Sequence, residues 1–303
     1  MAKINVIIAG SVGIDSVKTP FGSVEEEIGG SATFSSIACS LFTKPALLSI
    51  IGKDFPRKKL KVLEEKGIDL SAMQESDKPN MRWKAHYDFD VNEAHTDSFE
   101  ANALADLKPT LPEKMLEAEF VSLGNWDPEK QIQLLKSFKQ KPLLSVGDTI
   151  KYYIDNYREQ VMKMVYESNL VLLNEGEARQ LFNTTSLLKA SQEILKMNSE
   201  YAVIKKGDNG CVMFTKDKHF SCPGYPLENV VDPTGCGDSF AGALLGYMAK
   251  TKDFSEKNMR KGIVTASAVA SFNAESYSFY RLAEITKKDV KERVKEFKEI
   301  TKF

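Results

Sequence analysis

The residue types and spacing that point most directly to chemistry lie at positions 232 to 238, in the segment Asp-Pro-Thr-Gly-Cys-Gly-Asp, which an apolar helical pattern follows. Gly235 and Gly237 allow the backbone to approach a ligand closely, and the first free N–H groups of the helix would then point at that ligand. This predicts an anion site with Asp238 at its mouth, where a carboxylate can accept the proton of a hydroxyl that attacks a bound phosphoryl group. The alternative interpretation is structural, with Asp238 as a helix cap and the glycines as a turn.

A second polar pair, Asn174 and Glu177, follows the apolar run Leu170–Leu173. An amide and a carboxylate at the carboxyl end of a strand can hold hydrated Mg²⁺, which prefers oxygen ligands and retains its waters. Taken alone, the pair is better explained as the cap and first acidic turn of a helix.

Positions 232 to 238 resemble the carboxyl-terminal signature of the ribokinase-like, PfkB-type carbohydrate kinases, commonly written D-T-x-G-A-G-D. The resemblance implies that Asp238 is the catalytic base and that the amides of Gly235–Gly237 hold the transferring phosphoryl group. It also implies that Asp232 helps to bind a monovalent cation such as K⁺. Cys236 stands where the family has alanine, and because this residue would act through its amide, we expect the change to be tolerated.

Two further segments extend the resemblance on the nucleotide side. Asn174 and Glu177 match the family's Asn-x-x-Glu motif, which implies that they organise Mg²⁺ and the phosphates of ATP, with Glu177 acting on the metal through water. The strand and two-glycine turn that contain Lys205, Gly207 and Gly210 resemble the family's nucleotide-side turn. A solvated surface lysine and an ordinary hairpin turn would give the same pattern.

The amino-terminal part resembles the family's acceptor-binding half. There the resemblance implies that Asp15 hydrogen-bonds acceptor hydroxyls and that Gly29 and Gly30 let a sugar approach the backbone. A carboxylate can accept bonds from two neighbouring hydroxyls, so the residue type suits this role. Ser31 and Phe34 stand where ribokinases carry Lys and Asn, which argues against ribose itself as the acceptor.

The strands and helices that position these residues are predicted from the hydrophobic pattern. Short apolar runs alternate with segments whose apolar residues have helical spacing. Unalternating apolar runs suit strands buried on both faces of a parallel sheet, so the pattern predicts an α/β fold with a mostly parallel central sheet. The resemblance implies a ribokinase-like three-layer αβα arrangement. The predicted strands are Ile4–Ala9, Ala46–Ile51, Phe120–Leu123, Pro142–Val146, Leu170–Leu173 and Ala202–Ile204. The predicted helices are Ala32–Phe42, Arg57–Lys66, Pro128–Lys139, Ile150–Tyr166, Ala178–Phe182, Ser186–Lys196, Asp238–Ala249, Ser255–Phe272 and Ile285–Phe297.

Two segments interrupt this alternation. Residues 82–100 alternate bulky and polar side chains, as in an antiparallel hairpin with one covered face, and residues 16–28 are strand-like around a Pro-Phe-Gly turn. We expect them to meet in a small sheet that forms a lid on a single α/β kinase domain spanning residues 1–303. An apolar face on this lid needs cover, which makes a homodimer through the lid an expectation.

Composition narrows the classes of partner. The 303 residues carry 41 Lys and Arg against 42 Asp and Glu, so the net charge of -1 provides no basic field for nucleic acid. No apolar run reaches the roughly 18 residues of a membrane span, and the amino terminus does not resemble a cleaved signal peptide. The four cysteines form no CxxC pair and have three histidines to join them, so neither a zinc site nor a disulfide framework is indicated. We expect a cytoplasmic protein with reduced thiols that binds neither nucleic acid nor membrane.

Together these features predict an ATP-dependent, Mg²⁺-requiring kinase that moves the γ-phosphoryl group to a primary hydroxyl of a sugar or sugar-bearing small molecule. A nucleoside kinase of the adenosine-kinase type is the alternative within that class. Trp83, Tyr87, Phe89 and Phe99 of the lid can stack on a base, or they simply cover an apolar face. The alternative from another class is a non-catalytic sugar-binding regulatory protein. Its expected mark is loss of the base or of the anion-site glycines, and both are present.

Overall fold

The computed structural model describes residues 4–302. The strands are β1 (Val6–Ala9), β2 (Gly13–Thr19), β3 (Gly22–Gly29), β4 (Ala46–Gly52), β5 (Asp69–Ser76), β6 (Arg82–His86), β7 (His95–Glu100), β8 (Phe120–Ser122), β9 (Leu144–Gly147), β10 (Leu170–Asn174), β11 (Tyr201–Lys205), β12 (Cys211–Phe214) and β13 (His219–Cys222). The helices are α1 (Ser31–Ser40), α2 (Lys61–Glu65), α3 (Pro128–Ser137), α4 (Lys151–Asn156), α5 (Arg158–Glu167), α6 (Glu175–Leu181), α7 (Leu187–Lys196), α8 (Cys236–Thr251), α9 (Glu256–Asn273), α10 (Tyr280–Glu284) and α11 (Lys287–Ile300).

The central sheet has nine strands in the order β13-β12-β11-β10-β9-β8-β1-β4-β5. The strands from β11 to β5 in this order pair in parallel, and the hairpin of β12 and β13 adds antiparallel strands at one edge. Alternate residues of β1 enter different cores, with Val6 and Ile8 facing α1, α8 and α9 and with Ile7 and Ala9 facing α3, α5 and α7. The predicted three-layer αβα arrangement is therefore confirmed.

Several helices begin at side chains that satisfy their first free N–H groups. Asp127 precedes Pro128 at the start of α3 and accepts from the amides of the first turn. Ser186 does the same for α7. Thr286 and Asp289 form a reciprocal capping box at the start of α11.

Three differences from the predicted elements have local causes. The helix predicted over 150–166 divides into α4 and α5, because Tyr157 leaves the helical region at φ −140° and ψ 39°. The segment predicted as one helix over 57–66 begins as a 3₁₀ turn before α2. Strands β5 and β13 were not predicted. Both lie at edges of the sheet and are partly exposed, so neither carries a continuous apolar run.

The two segments that interrupt the alternation meet as predicted. They form a four-stranded sheet in the order β3-β2-β6-β7, in which two antiparallel hairpins are joined through the parallel pair of β2 and β6. We call this sheet, with its connecting turns, the lid. Strand β2 begins already at Gly13, so Asp15 lies on the lid rather than in the loop after β1. None of the helices within residues 4–302 is long and apolar enough to cross a membrane.

Candidate active site

Polar residues at the carboxyl ends of neighbouring parallel strands meet at one edge of the central sheet. Ligands of open parallel sheets bind outside this edge. In sheet order, the strands β11, β10, β9, β8 and β1 end at or just before Lys205, Asn174, Asp148, Asn125 and Ser11. The start of α8 and the lid contribute the remaining groups.

The predicted anion site lies at the start of α8. Gly235 precedes the helix with φ at 75°, in the left-handed region, and a Cβ there would lie 2.4 Å from ring atoms of Phe34. Both facts require glycine at this position. The N–H of Cys236 donates to the carbonyl of Pro233 at 3.1 Å, so this amide also closes the turn.

Asp238 lies in the first turn of α8, where its carboxylate accepts a hydrogen bond from Asn125 Nδ2 at 3.4 Å. Burial raises the pKa of Asp238 from its usual 3.8 to about 7; the negative charge of Asp148 adds to the shift and Lys205 opposes it. A carboxylate with a pKa near the working pH is suited to accept a proton in a transition state.

Lys205 pairs with Asp148 through a 2.9 Å ion pair, and the two side chains are only 18% and 3% exposed. Lys205 is therefore not a solvated surface lysine. Burial acts to lower its pKa, but the nearby carboxylates of Asp148 and Glu177 outweigh that effect and the pKa is raised. Its Nζ would lie 3.1 Å from a Cβ on Gly237, so the ammonium group lies against the first turn of α8.

Asn174 and Glu177 form the cap that the structural alternative predicted. The N–H of Glu177 donates to Asn174 Oδ1 and the N–H of Asn174 donates to Glu177 Oε2, both at 2.7 Å. The same carboxylate belongs to the cluster at the sheet edge. Burial raises the pKa of Glu177 to about 8, with Lys205 opposing and Asp148 reinforcing the shift.

Asp15 is a buried carboxylate on the lid, 7% exposed. Its Oδ2 accepts the N–H of Gly30 at 3.2 Å, whereas its Oδ1 has no hydrogen-bond partner among residues 4–302. Burial raises its pKa to about 7, and the charges of Asp232 and Asp238 add to the shift. A Cβ on Gly29 would lie 1.8 Å from Asp15 Oδ2, so this close packing needs glycine at position 29.

Asp232 organises the loop that leads into α8. Its two carboxylate oxygens accept the N–H groups of Thr234 at 2.9 Å and Ser278 at 3.1 Å. Burial raises its pKa. Ser278 Oγ also donates to the carbonyl of Ile28 at 2.8 Å, which ties the end of β3 to the same loop. A monovalent cation at Asp232 stays a prediction.

Gly207 and Gly210 bound a tight turn between β11 and β12, as the hairpin alternative predicted. The lid reaches this turn through Asn92, whose side chain accepts from the N–H of Asp208 at 2.9 Å and donates to Asp208 Oδ1 at 3.1 Å. A Cβ on Gly207 would clash with Asn92 Oδ1 at 1.7 Å, so this approach also needs glycine.

The four lid aromatics have different surroundings. Trp83 and Phe99 are partly buried against the core on the α3 side of the sheet, and Phe89 is 94% exposed. Only Tyr87 lies beside the loop at Asp232, and Thr234 Oγ1 donates to its hydroxyl at 3.3 Å. Covering an apolar face therefore explains Trp83 and Phe99.

Asp148 and Asn125 were missed by the sequence reasoning, and Asn273 was recognised only as part of residues 270–275, a weaker resemblance to the family near the expected nucleotide pocket. Asn273 Nδ2 donates to the carbonyl of Thr234 at 2.7 Å. Asp148 and Asn125 each follow a predicted strand closely, so a search for the first polar residues after each parallel strand would have found them. Asn273 is the last residue of α9.

The family follows from comparison with known proteins. The model of the pfkB family carbohydrate kinase matches residues 5–284, so the chain belongs to that family. It is 26% identical over 272 residues to the cytidine kinase of Thermococcus kodakarensis, covering 88% of this chain and 96% of that protein.

Solved structures share the fold. The nucleoside kinase of Methanocaldococcus jannaschii, an archaeal member of the ribokinase family, aligns with a TM-score of 0.77 at 22% identity, covering 98% of this chain and 100% of that one. A fructokinase double mutant from Vibrio cholerae, bound to fructose, ADP and a potassium ion, aligns with a TM-score of 0.80 at 16% identity over 97% and 99% of the two chains. The predicted ribokinase-like fold and the predicted class, an ATP-dependent kinase of a sugar or sugar-bearing molecule, are thereby confirmed.

Proposed function

We propose that the acceptor is a nucleoside and that the γ-phosphoryl group of ATP is transferred to the primary hydroxyl of its ribose. The observation that carries this proposal is the buried, unpartnered Oδ1 of Asp15 in a pocket whose other walls include Val17, Val24 and Phe34. The carboxylate suits the neighbouring hydroxyls of a ribose. The apolar walls suit the faces of a base. Polar groups of Glu27, Asp232, Thr234 and Ser278 line the same pocket. The cytidine kinase that aligns along most of this chain supports the same acceptor class.

Each residue of the candidate site then has a separate role in the proposed reaction. Asp15 orients the ribose. Asp238 accepts the proton of the primary hydroxyl while the hydroxyl oxygen bonds to the γ-phosphorus. The bond from that phosphorus to the β,γ-bridging oxygen breaks, and ADP leaves with the electron pair. The amides of Gly235–Gly237 and the ammonium of Lys205 stabilise the negative charge of the transferring group, as preorganised donors do in other phosphoryl transfers.

Mg²⁺ fits the donors at the sheet edge. Within residues 4–302 no three or more His, Cys, Asp or Glu side chains are arranged as a metal cage. Mg²⁺ is commonly held by one or two carboxylates together with phosphate oxygens and water, so Glu177 and Asp148 are suitable, with Asn174 beside them. The ion would neutralise phosphate charge. We propose K⁺ at Asp232, whose carboxylate oxygens retain acceptor capacity beyond the two N–H groups that they bind.

ADP release with a panel of acceptors tests the proposal. We expect cytidine or another nucleoside to be phosphorylated with a kcat/KM at least about tenfold above that of fructose or ribose, a margin that burial of about 60 Å² of apolar surface of the base can supply. A preference for the free sugars would overturn the nucleoside acceptor and leave the kinase class intact. Sugar remains the second candidate because members of the same family act on carbohydrates.

We also propose a homodimer through the lid in the cytoplasm. Phe21 and Phe89, at the ends of the two lid hairpins, are exposed, and dimerisation would cover them. All four cysteines are free, which suits a reducing compartment. Sedimentation of the wild type beside Phe89→Glu tests the assembly, and a monomer at every concentration for both proteins would contradict it.

A further inference from the structure

Two hydroxyl groups of the lid contact the loop that leads into the anion site. Thr19 Oγ1, at the end of β2, donates to the carbonyl of Val231 at 2.9 Å. Tyr87, just after β6, accepts at its hydroxyl from Thr234 Oγ1 at 3.3 Å. The two contacts bracket Asp232 and come from different lid strands.

The Tyr87 contact is buried and the Thr19 contact is partly buried. Both residues are held in the lid. Tyr87 is 9% exposed and its N–H donates to the carbonyl of Lys18 at 2.8 Å, which holds its backbone to β2. Thr19 Oγ1 also lies 2.9 Å from the hydroxyl of Tyr277, next to the same loop. Such hydrogen bonds form only while the lid lies against the loop.

The loop is otherwise held by its own Asp232, by the end of α9 and by Ser278, which also donates to the carbonyl of Ile28 in β3. Thr234 donates its N–H to Asp232 Oδ1 and accepts at its carbonyl from Asn273 Nδ2. Its side chain is the part that the lid holds. The next residue is Gly235, which sets the direction in which α8 begins.

We infer that Thr19 and Tyr87 form a hydroxyl clamp through which the closed lid positions residues 231–234 and, with them, the amides at the start of α8. Both are positioning residues that act through the loop. The inference rests on the proposed function in one respect, namely that the acceptor binds under the lid. Because coupling between two ligands is reciprocal, the clamp makes acceptor binding and nucleotide binding strengthen each other.

Hydrogen exchange tests the clamp without any ligand. In Tyr87→Phe we expect the amides of residues 231–237 to exchange about 3- to 10-fold faster than in the wild type, the effect of losing one hydrogen bond. Thr19→Val also loses the contacts with Tyr277 and with the N–H of Phe21, so exchange there should be at least as fast. The matched control is Tyr201→Phe. Tyr201 is also 9% exposed and donates its hydroxyl to the carbonyl of Phe254 at 3.3 Å, far from the loop in sequence. Equal exchange in the wild type and both clamp variants overturns the inference.

Binding supplies the functional readout. The dissociation constant of the β,γ-imido analogue of ATP is measured with and without saturating cytidine, and kcat is measured beside it. We expect cytidine to tighten nucleotide binding in the wild type. In Tyr87→Phe that gain should shrink by about 3- to 10-fold and kcat should fall, while Tyr201→Phe keeps both.

The two possible failures are distinguishable. If cytidine and the other acceptors are not phosphorylated but residues 231–237 lose protection in both variants, the proposed acceptor is wrong and the clamp stands. If turnover is observed and Tyr87→Phe keeps the wild-type kcat and coupling, the clamp is wrong and the proposed function stands.

Discussion

Asp238→Asn tests proton acceptance by Asp238 separately from the structural contacts of this side chain. The asparagine keeps the size of the side chain, and its amide oxygen can still accept from Asn125 Nδ2, as the carboxylate does at 3.4 Å. Ser35 Oγ donates to the backbone carbonyl of residue 238 at 2.9 Å, and that bond does not depend on the side chain. The variant therefore loses proton acceptance and little of the ground-state geometry.

The expected loss is large and depends on pH. Removing a general base costs about 10²- to 10⁴-fold in rate. Burial favours the neutral carboxyl and raises the pKa of Asp238 to about 7, so the reactive ionised form is lost as the pH falls through 7. In the wild type kcat/KM should level off above that value and fall about tenfold for each pH unit below it. The variant should lose the contribution of Asp238 to this limb, and Asp15, whose pKa is also raised to about 7, should keep a limb in kcat/KM. The pH profile of kcat at saturating acceptor separates the two.

Steady-state ADP release between about pH 5.5 and 9 measures both effects, together with dissociation constants for nucleotide and acceptor, which we expect to stay within a few-fold. Asp127→Asn is the matched control. Asp127 caps α3 and accepts the N–H of Glu129 at 2.9 Å, and asparagine caps a helix about as well as aspartate. An Asp238→Asn enzyme within tenfold of the wild-type kcat, with the acidic limb intact, would refute the assignment.

The remaining predictions concern the other carboxylates. Glu177→Gln should raise the Mg²⁺ concentration needed for half-maximal rate and lower kcat without changing acceptor KM; a change in acceptor KM alone would place the residue in the other pocket. Asp15→Asn should raise acceptor KM by about 10- to 100-fold at constant ATP KM. Folding raises the pKa of Asp15 from 3.8 to about 7, so the ionised carboxylate destabilises the folded protein at pH 8. Each pKa unit corresponds to about 1.36 kcal/mol, and the same variant should therefore stabilise the ligand-free protein at this pH by up to ~4 kcal/mol. That gain should vanish below about pH 4, and urea unfolding at both pH values that shows no difference would contradict it. Asp148→Asn removes the partner of Lys205 and should lower the free energy of unfolding at pH 7 by ~3–5 kcal/mol; part of the loss should return in the double variant with Lys205→Met, and a wild-type urea midpoint for the single variant would argue against the buried pair.

The central strands were predictable from sequence because burial on both faces makes them continuous apolar runs. The edge strands β5 and β13 were not, since partly exposed strands need polar residues and lose that signal. The lid was recognised because residues 82–100 alternate with a period of two, as a sheet covered on one face requires. The break at Tyr157 has no sequence signal of this kind.

Some residues of the candidate site were also predictable from sequence and others were not. Asp232 and Asp238 lie in one short segment, where spacing itself carries information. Asp148 and Asn125 are single polar residues after separate strands, and only the sheet order shows that those strands are neighbours. That order is non-local, because β1 lies between β8 and β4, so no window of sequence contains it.

The charge distribution links the buried carboxylates of this site to the phosphate position at the start of α8. Asp148, Glu177 and Asp238 all have raised pKa values because burial disfavours their ionised forms, while Lys205 is the cation that offsets them. A site arranged in this way favours bound protons when no ligand is present. A divalent cation arriving with the phosphates would stabilise the carboxylates in the ionised form, and the phosphates would in turn occupy the positive end of α8. In the proposed reaction the attacking hydroxyl of the acceptor would then give its proton to Asp238.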